Sequence, residues 1–205
     1  KAIAKELSAR LPDDRCKAQT IHSAGMSIIG SKRRQLEVNK NSHFPRVAAA
    51  ISEYFERPEN KWGNEAIEYL RQNQWQPSKI LELTKIMQPY ADTRAEVLDV
   101  AIDMMFASTQ PRKSQPGDFF PRREIPPLID RVCDVVVLVM ENQTEEAING
   151  RGKLLINFDD MIWLPIVHQL YIPTVDLQIV DEAQDLNRMQ QELMYRAGQR
   201  IVFVG

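Results

Sequence analysis

Apolar residues recur at helical spacing along most of the chain. Ile3, Leu7 and Leu11 fall at i, i+4 and i+8, which predicts a helix over 1–10, stopped by Pro12 and the Asp13-Asp14 turn. Residues 17–21 read as a short extended segment, and 23–29 as a helix ending near Gly30. From Ser31 to about Glu146 the pattern is mostly helical. Val47, Ile51, Tyr54 and Phe55 form one stripe, and 65–70 and 80–87 are further helices. Val97, Leu98, Ala101, Ile102 and Met105 share one face of a helix over 93–106. Pro111, Pro116, Pro121, Pro126 and Pro127 mark a long non-helical connection. The Val-rich run at 128–141 suits a strand by propensity. Leu128, Val132, Val135, Val136 and Val139 nevertheless fit one helix face, and the periodicity favours helix.

The texture changes after Gly150. Residues 157–164 put carboxylates in a first turn before apolar residues, a helix start. Leu177 to Val180 is a short apolar strand, expected to be buried. Asn187 to Ala197 is a helix, with Asn187 as cap, Gln190 three residues on and Gly198 just past the end. Arg200 to Val204 reads as a second buried strand. Strand, helix, strand is a βαβ unit, which implies a parallel sheet and a right-handed crossover. The fold class read from the chain is α/β with a large, mostly helical insertion. Its segments are 1–30, the helical 31–150, and 151–205. No internal repeat is visible.

Composition narrows the function. The 205 residues carry 26 basic and 28 acidic side chains, a net charge of −2, so a strongly basic protein that blankets nucleic acid is excluded, while a local basic groove is not. Two cysteines far apart, Cys16 and Cys133, and three scattered histidines argue against a zinc site. Low cysteine use suits a reducing compartment. No apolar run approaches the ~18 residues of a membrane span, and no signal peptide is visible; the expectation is a cytoplasmic protein without a membrane partner. Both ends cut through apparent elements, so the chain reads as an excerpt of a longer protein.

The richest chemistry lies at Val180-Asp181-Glu182-Ala183-Gln184-Asp185, where an apolar strand ends in adjacent carboxylates. Ligands of parallel α/β sheets bind beyond the carboxyl ends of strands. There a first carboxylate can hold magnesium and its neighbour can orient a water for attack on phosphate. The plainer reading is an acidic turn that opens a helix.

Leu177-Gln-Ile-Val-Asp-Glu-Ala-Gln-Asp-Leu-Asn187 closely resembles motif II of UvrD/Rep-like superfamily-one DNA helicases. Gln190, Gln191 and Arg200-Ile-Val-Phe-Val-Gly205 resemble the family's next segment, up to the Gly of motif III. Asn157-Phe-Asp-Asp-Met161 is similar to the segment preceding motif II, with Asn157 in place of the usual Asp. Thr20-Ile-His-Ser23 resembles the Thr-Phe-His-Ser motif, with Ile21 in place of Phe, which removes any aromatic contribution there. Lys1-Ala-Ile-Ala-Lys-Glu-Leu7 looks like the tail of motif Ia. Four blocks stand in the family's order; Lys32 to about Gly150 carries no matching motif.

The resemblance implies part of a RecA-like motor domain of an ATP-dependent DNA helicase or translocase, with 31–150 as an inserted accessory subdomain. It implies ATP and Mg2+ as cofactors. Single-stranded DNA, a duplex junction and the rest of the helicase chain are the implied partners. Asp181 would be the magnesium carboxylate and Glu182 the catalytic base. Gln184 and Asp185 would couple the nucleotide to motif III and the DNA groove, Gln184 on the nucleotide side and Asp185 on the DNA side. Thr20, His22 and Ser23 would line the single-strand path; the alternative there is a helix N-cap by Ser23 and a satisfied histidine. No Gly-x-x-x-x-Gly-Lys-Ser/Thr loop occurs in the chain, so these residues alone are not expected to hydrolyse ATP. The competing readings are a catalytically inactive helicase-like module that binds DNA or protein, and an all-helical interaction protein built on 31–150.

Other features have plainer uses. Helix-start electrostatics accounts for Asp159 and Asp160. The clusters Lys32-Arg33-Arg34, Arg112-Lys113 and Arg122-Arg123 could touch duplex phosphates, but a solvated face is the favoured reading. Phe119-Phe120 suits packing under the long connection, and Trp62, Trp75 and Trp163 suit core. In the strand order that the resemblance implies, a further strand separates 177–180 from 200–204. These two strands are therefore expected not to pair, and to leave Ile179, Val180, Ile201, Phe203 and Val204 partly uncovered.

Overall fold

The computed structural model describes residues 6, 9–11, 16–32, 35–60, 64–107, 128–149 and 153–205. The chain is mixed α/β, mostly helical, with two small parallel strand pairs. It divides into two compact units: the described residues of Lys1–Lys40 with Gly150–Gly205, and Asn41–Asn149. Among the described residues no helix is long and apolar enough to cross a membrane.

The second unit is a helical bundle of α2 (His43–Glu56), a 3-10 turn (Pro58–Asn60), α3 (Asn64–Gln72), α4 (Trp75–Met87), α5 (Arg94–Ala107) and α6 (Ile129–Asn149). Helix α6 contains the Val-rich run. It packs against α2, α4 and α5, burying Val132, Val135, Val136 and Val139. A strand would place alternate residues of that run on opposite faces, whereas these four meet one core. In α5 the buried face is centred on Val97, Val100 and Ala101, with Leu98 and Ile102 at its margin. The Met105 side chain, the basic clusters at 112–113 and 122–123, Phe119-Phe120 and Trp62 lie outside the described residues. Trp75 is 58% exposed, which corrects its placement in the core. It stands at the first position of α4, where the buried face begins only at Pro77.

The first unit holds α1 (Ile21–Lys32), β1 (Leu36–Val38), β2 (Leu154–Ile156), α7 (Phe158–Val167), β3 (Gln178–Val180), a 3-10 turn (Ala183–Asp185), α8 (Arg188–Ala197) and β4 (Ile201–Phe203). Of the expected first helix, Glu6, Ala9 and Arg10 are described and helical, and Cys16–Thr20 has no regular structure. Strand β1 interrupts the stretch read as helical and pairs in parallel with β2, Leu36 opposite Leu154 and Val38 opposite Ile156. Helix α7 packs against both α1 and α8, and Met161, Ile162, Trp163, Leu164 and Ile166 are buried in that layer.

Capping boxes set the starts of α7 and α8. Asn157 Oδ1 accepts from the Asp160 N–H at 2.8 Å, and Asp160 Oδ2 accepts from the Asn157 N–H at 3.1 Å. Asn187 and Gln190 repeat the arrangement at 2.9 and 3.1 Å at the start of α8. Each satisfies amide donors that a helix start leaves open.

Strands β3 and β4 pair directly and in parallel, Gln178 opposite Ile201, Ile179 opposite Val202 and Val180 opposite Phe203. This overturns the expected gap between them. The ladder extends beyond both strands, from a bridge between Val175 and Gly198 to the Val204 N–H on the Val180 carbonyl at 2.9 Å. The pairing satisfies the backbone donors and acceptors that the two strands turn toward each other. The strands are also less buried than their composition suggested: Val180 is 6% exposed, but Ile179 is 67% and Val202 47% exposed. Gly198 ends α8 without a left-handed turn, at φ −116°. A Cβ there would come within 2.8 Å of Ile201 Cγ1 and 3.1 Å of Gln178 Cβ, so glycine serves the close approach of the bridge.

Candidate functional site

The acidic turn follows β3. Val180 is the last strand residue, and the Ala183 N–H donates to the Val204 carbonyl at 2.9 Å, so the turn is tied to the end of β4 as well. Asp181 and Glu182 are both exposed. Asp181 Oδ1 accepts from the Glu182 N–H at 3.1 Å, leaving Oδ2 open to solvent and ligand. Glu182 has left-handed backbone, φ 52° and ψ 43°. Non-glycine residues seldom adopt that region, and where they do the strain is commonly tied to function. From there its Oε2 accepts from Gln184 Nε2 at 2.5 Å. The Asp185 N–H donates to the Glu182 carbonyl at 3.0 Å, closing the 3-10 turn, while the Asp185 side chain is exposed. Gln184 also lies against Gly205: a Cβ on Gly205 would overlap Gln184 Oε1 and reach its Cδ at 3.0 Å.

As a metal site, the turn offers few donors. Among the described residues no group of three or more His, Cys, Asp or Glu could hold a metal ion. Magnesium differs, because it keeps most of its waters and takes one or two carboxylates together with substrate phosphates. The open Asp181 carboxylate suits that role.

The second predicted group lies at the start of α1. Thr20, not Ser23, is the cap: the Ser23 N–H donates to Thr20 Oγ1 at 3.2 Å, and the Ala24 N–H to the Thr20 carbonyl at 3.0 Å. Ser23 therefore sits in the first turn with an exposed side chain, and the Thr20 hydroxyl still has its proton to donate. His22 meets the ring of Phe158 edge-on, centroids 5.6 Å apart and planes at 88°. No bond or ring contact joins this group to the acidic turn among the described residues; the two occupy separate elements of the unit.

Phe158 is the residue that sequence reasoning passed over. The Asn157 capping box makes it the first residue of α7, and it stays 43% exposed. Lys40, just past β1, places Nζ 5.7 Å from the same ring centroid. Phe158 is thus an exposed aromatic ring flanked by a cation and an imidazole. An apolar residue at a capped helix start, where polar residues are the rule, was the available signal.

His168 follows α7 and packs its ring against Trp163 at 6.0 Å; burial lowers its pKa below the usual 6.5. It belongs to the core rather than to either group. Comparison of the chain with family models, with curated proteins and with solved structures gives no match.

Proposed function

We propose that these residues form part of the first, RecA-like motor domain of an ATP-dependent DNA helicase or translocase of the UvrD/Rep kind. The observation that carries the reading is the acidic turn: Asp181 and Glu182 directly follow the carboxyl end of a strand in a parallel pair, with Glu182 held in a strained conformation and bonded to Gln184. That is where parallel sheets present catalytic groups to phosphate ligands. The three other motif-like blocks, at 1–7, 20–23 and 157–161, support it separately.

In this reading Asp181 holds the magnesium that accompanies ATP, and the bound ion supplies neutralisation of phosphate charge. Glu182 accepts the proton of the attacking water through its carboxylate. Gln184, bonded to Glu182 Oε2, fixes that carboxylate's rotamer and can report its state to the end of β4. Asp185 lies one residue on and extends the coupling. Thr20, His22 and Ser23 with Phe158 contact single-stranded DNA. The phosphate-binding loop and second motor domain would come from the rest of the protein. The direct pairing of β3 with β4 departs from the strand order that the resemblance implies, so the reading rests on the motif residues and not on sheet topology.

The test is Glu182→Gln in the complete motor. Loss of a general base should cut ATP turnover by ~10²–10⁴-fold while ATP binding persists. Near-normal turnover would refute the assignment. A catalytically inactive DNA-binding module is the second reading, favoured by the Phe158, His22 and Lys40 cluster, which needs no nucleotide. Full-length protein that binds DNA but turns over no ATP, with or without Glu182, would select it.

A further inference from the structure

Lys40 and Phe158 follow the two strands of one parallel pair. Strand β1 ends at Val38, and its ladder runs on through the Asn39 N–H to the Ile156 carbonyl at 2.9 Å. Strand β2 ends at Ile156, and the Asn157 cap begins α7 at Phe158. Both side chains therefore emerge at the carboxyl end of the pair, where the Lys40 ammonium lies over the Phe158 ring at 5.7 Å. Lys40 is exposed and pairs with no carboxylate among the described residues. His22 occupies the ring from a second direction, edge-on at 5.6 Å.

A cation above a ring and a base stacked on it compete for the same face. Stacking of a nucleobase on an aromatic side chain outweighs a solvent-exposed cation–π contact. A base arriving on a single strand also brings a phosphate, a better partner for an ammonium than a ring. Lysine suits such an exchange, because its charge rides on a flexible four-carbon stem.

We propose that Lys40 is a phosphate contact of the single-strand site and covers the Phe158 ring until a base replaces it. The inference rests on the reading of this unit as a DNA-binding part of a motor. Each phosphate neutralised on a single strand contributes ~0.7 to the slope of log affinity against log salt. Lys40 should supply one such increment, and Phe158 none.

The experiment measures binding of fluorescein-labelled oligo-dT to the 205-residue chain by anisotropy, from about 50 to 200 mM salt. A matching oligonucleotide containing 2-aminopurine reports stacking by quenching. Lys40→Gln should flatten the salt slope by ~0.7, so that affinity falls roughly 2- to 3-fold less across that range than in the parent. It should keep the quenching. Lys40→Arg should keep the parent slope, and Phe158→Leu should lose the quenching with the slope unchanged. Binding with an unchanged slope in Lys40→Gln overturns the role of Lys40 and leaves the motor reading standing. No salt-dependent binding by the parent chain overturns the role of Lys40, while the motor reading is decided by Glu182→Gln in the complete motor.

Discussion

Gly25 lies directly against the backbone carbonyl of Met161. A Cβ on Gly25 would overlap that oxygen and come within 2.8 Å of the carbonyl carbon. Met161 is four residues before Pro165, which has no N–H to offer the Met161 carbonyl inside α7. The helix thus presents an underused acceptor, and the hydrogens of the Gly25 Cα are the groups that approach it, a weak contact of a kind common between packed helices. Glycine and proline, each poor in a helix by itself, are matched across the α1–α7 contact. Gly25→Ala should destabilise the 205-residue protein by ~1–3 kcal/mol, because the neighbour that must move is backbone. Gly30→Ala is the control: its Cβ would meet only Leu36 Cδ1, at an ordinary 3.8 Å. Replacing a helical glycine by alanine there should be neutral or stabilise by up to ~1 kcal/mol. Urea denaturation of both variants checks this, and a Gly25→Ala protein as stable as the parent would contradict the packing described.

Tyr54, Arg131 and Asp134 join α2 to α6 inside the helical unit. The Tyr54 hydroxyl donates to Asp134 Oδ2 at 2.8 Å and accepts from Arg131 Nη1 at 2.6 Å, and Arg94 Nε stands 3.5 Å from Asp134 Oδ1. Tyr54 is 4% exposed, and burial pushes its phenol above the ordinary 10.0, with Asp134 adding to the rise and Arg131 opposing it. The folded protein then holds the phenolic proton more tightly than the unfolded chain does. This contribution is fully present below pH 10 and is lost as pH rises through the folded value. Tyr54→Phe should cost ~1–2 kcal/mol near neutral pH. Its stability should also fall less steeply than the parent's above pH ~10. Parallel alkaline limbs for the two proteins would rule out Tyr54 as the source.

What the sequence made legible was whatever depended on neighbours along the chain. Val132, Val135, Val136 and Val139 carried a 3.6-residue period that outweighed their strand propensity, because a single buried face is what the bundle rewards. Asn187 with Gln190 announced its helix through chemistry confined to four residues, and the first-turn carboxylates Asp159 and Asp160 announced theirs, although the capping box that Asp160 forms with Asn157 showed only in the structure. The adjacent carboxylates at 181 and 182 were equally plain, yet the left-handed backbone of Glu182 was hidden, since nothing but glycine or asparagine advertises that conformation. Strand β1 was missed because three residues are too few to show alternation. The Lys40–Phe158–His22 cluster was invisible for another reason: its members come from three elements that only packing brings together. The pairing of β3 with β4 likewise depends on tertiary hydrogen bonding, on which residues 177–180 and 200–204 are silent.

The two cysteines should behave as opposites. Cys133 is fully buried in α6, and desolvation, with the charges of Asp130 and Asp134 adding to it, pushes its thiol up to about 12. At pH 8 only about one molecule in 10⁴ would then carry the reactive thiolate there. Cys16 is exposed. A disulfide-exchange reagent should label one thiol rapidly in the native protein and the second only on unfolding, at a rate that reports opening of the helical unit. Two thiols reacting together under native conditions would show that α6 is not packed as described.

The β3–β4 pair exposes one face along its length and buries Val180 on the other, where the partner Phe203 is still 41% exposed. Ile179 and Val202 are direct partners on the bare face, and Leu177 and Val204, two residues before and after, continue it at 51% and 48% exposure. On the other face Val180 is buried at 6%, and the α8 residues Leu193 and Met194 are covered with it in this unit. Apolar side chains on an exposed parallel pair invite association between molecules. Ile179→Thr keeps a β-branched residue in the strand and removes apolar surface that folding does not bury. It should leave stability within about 0.5 kcal/mol of the parent and lower the concentration-dependent light scattering of the 205-residue protein. Val180→Ala, at the buried position, should cost ~1–3 kcal/mol and leave the scattering of the folded protein unchanged. The contrast is the test, because the two positions are adjacent, one exposed and the other buried. If Ile179→Thr lost as much stability as Val180→Ala, the face assigned as bare would have to be packed against something within the same chain.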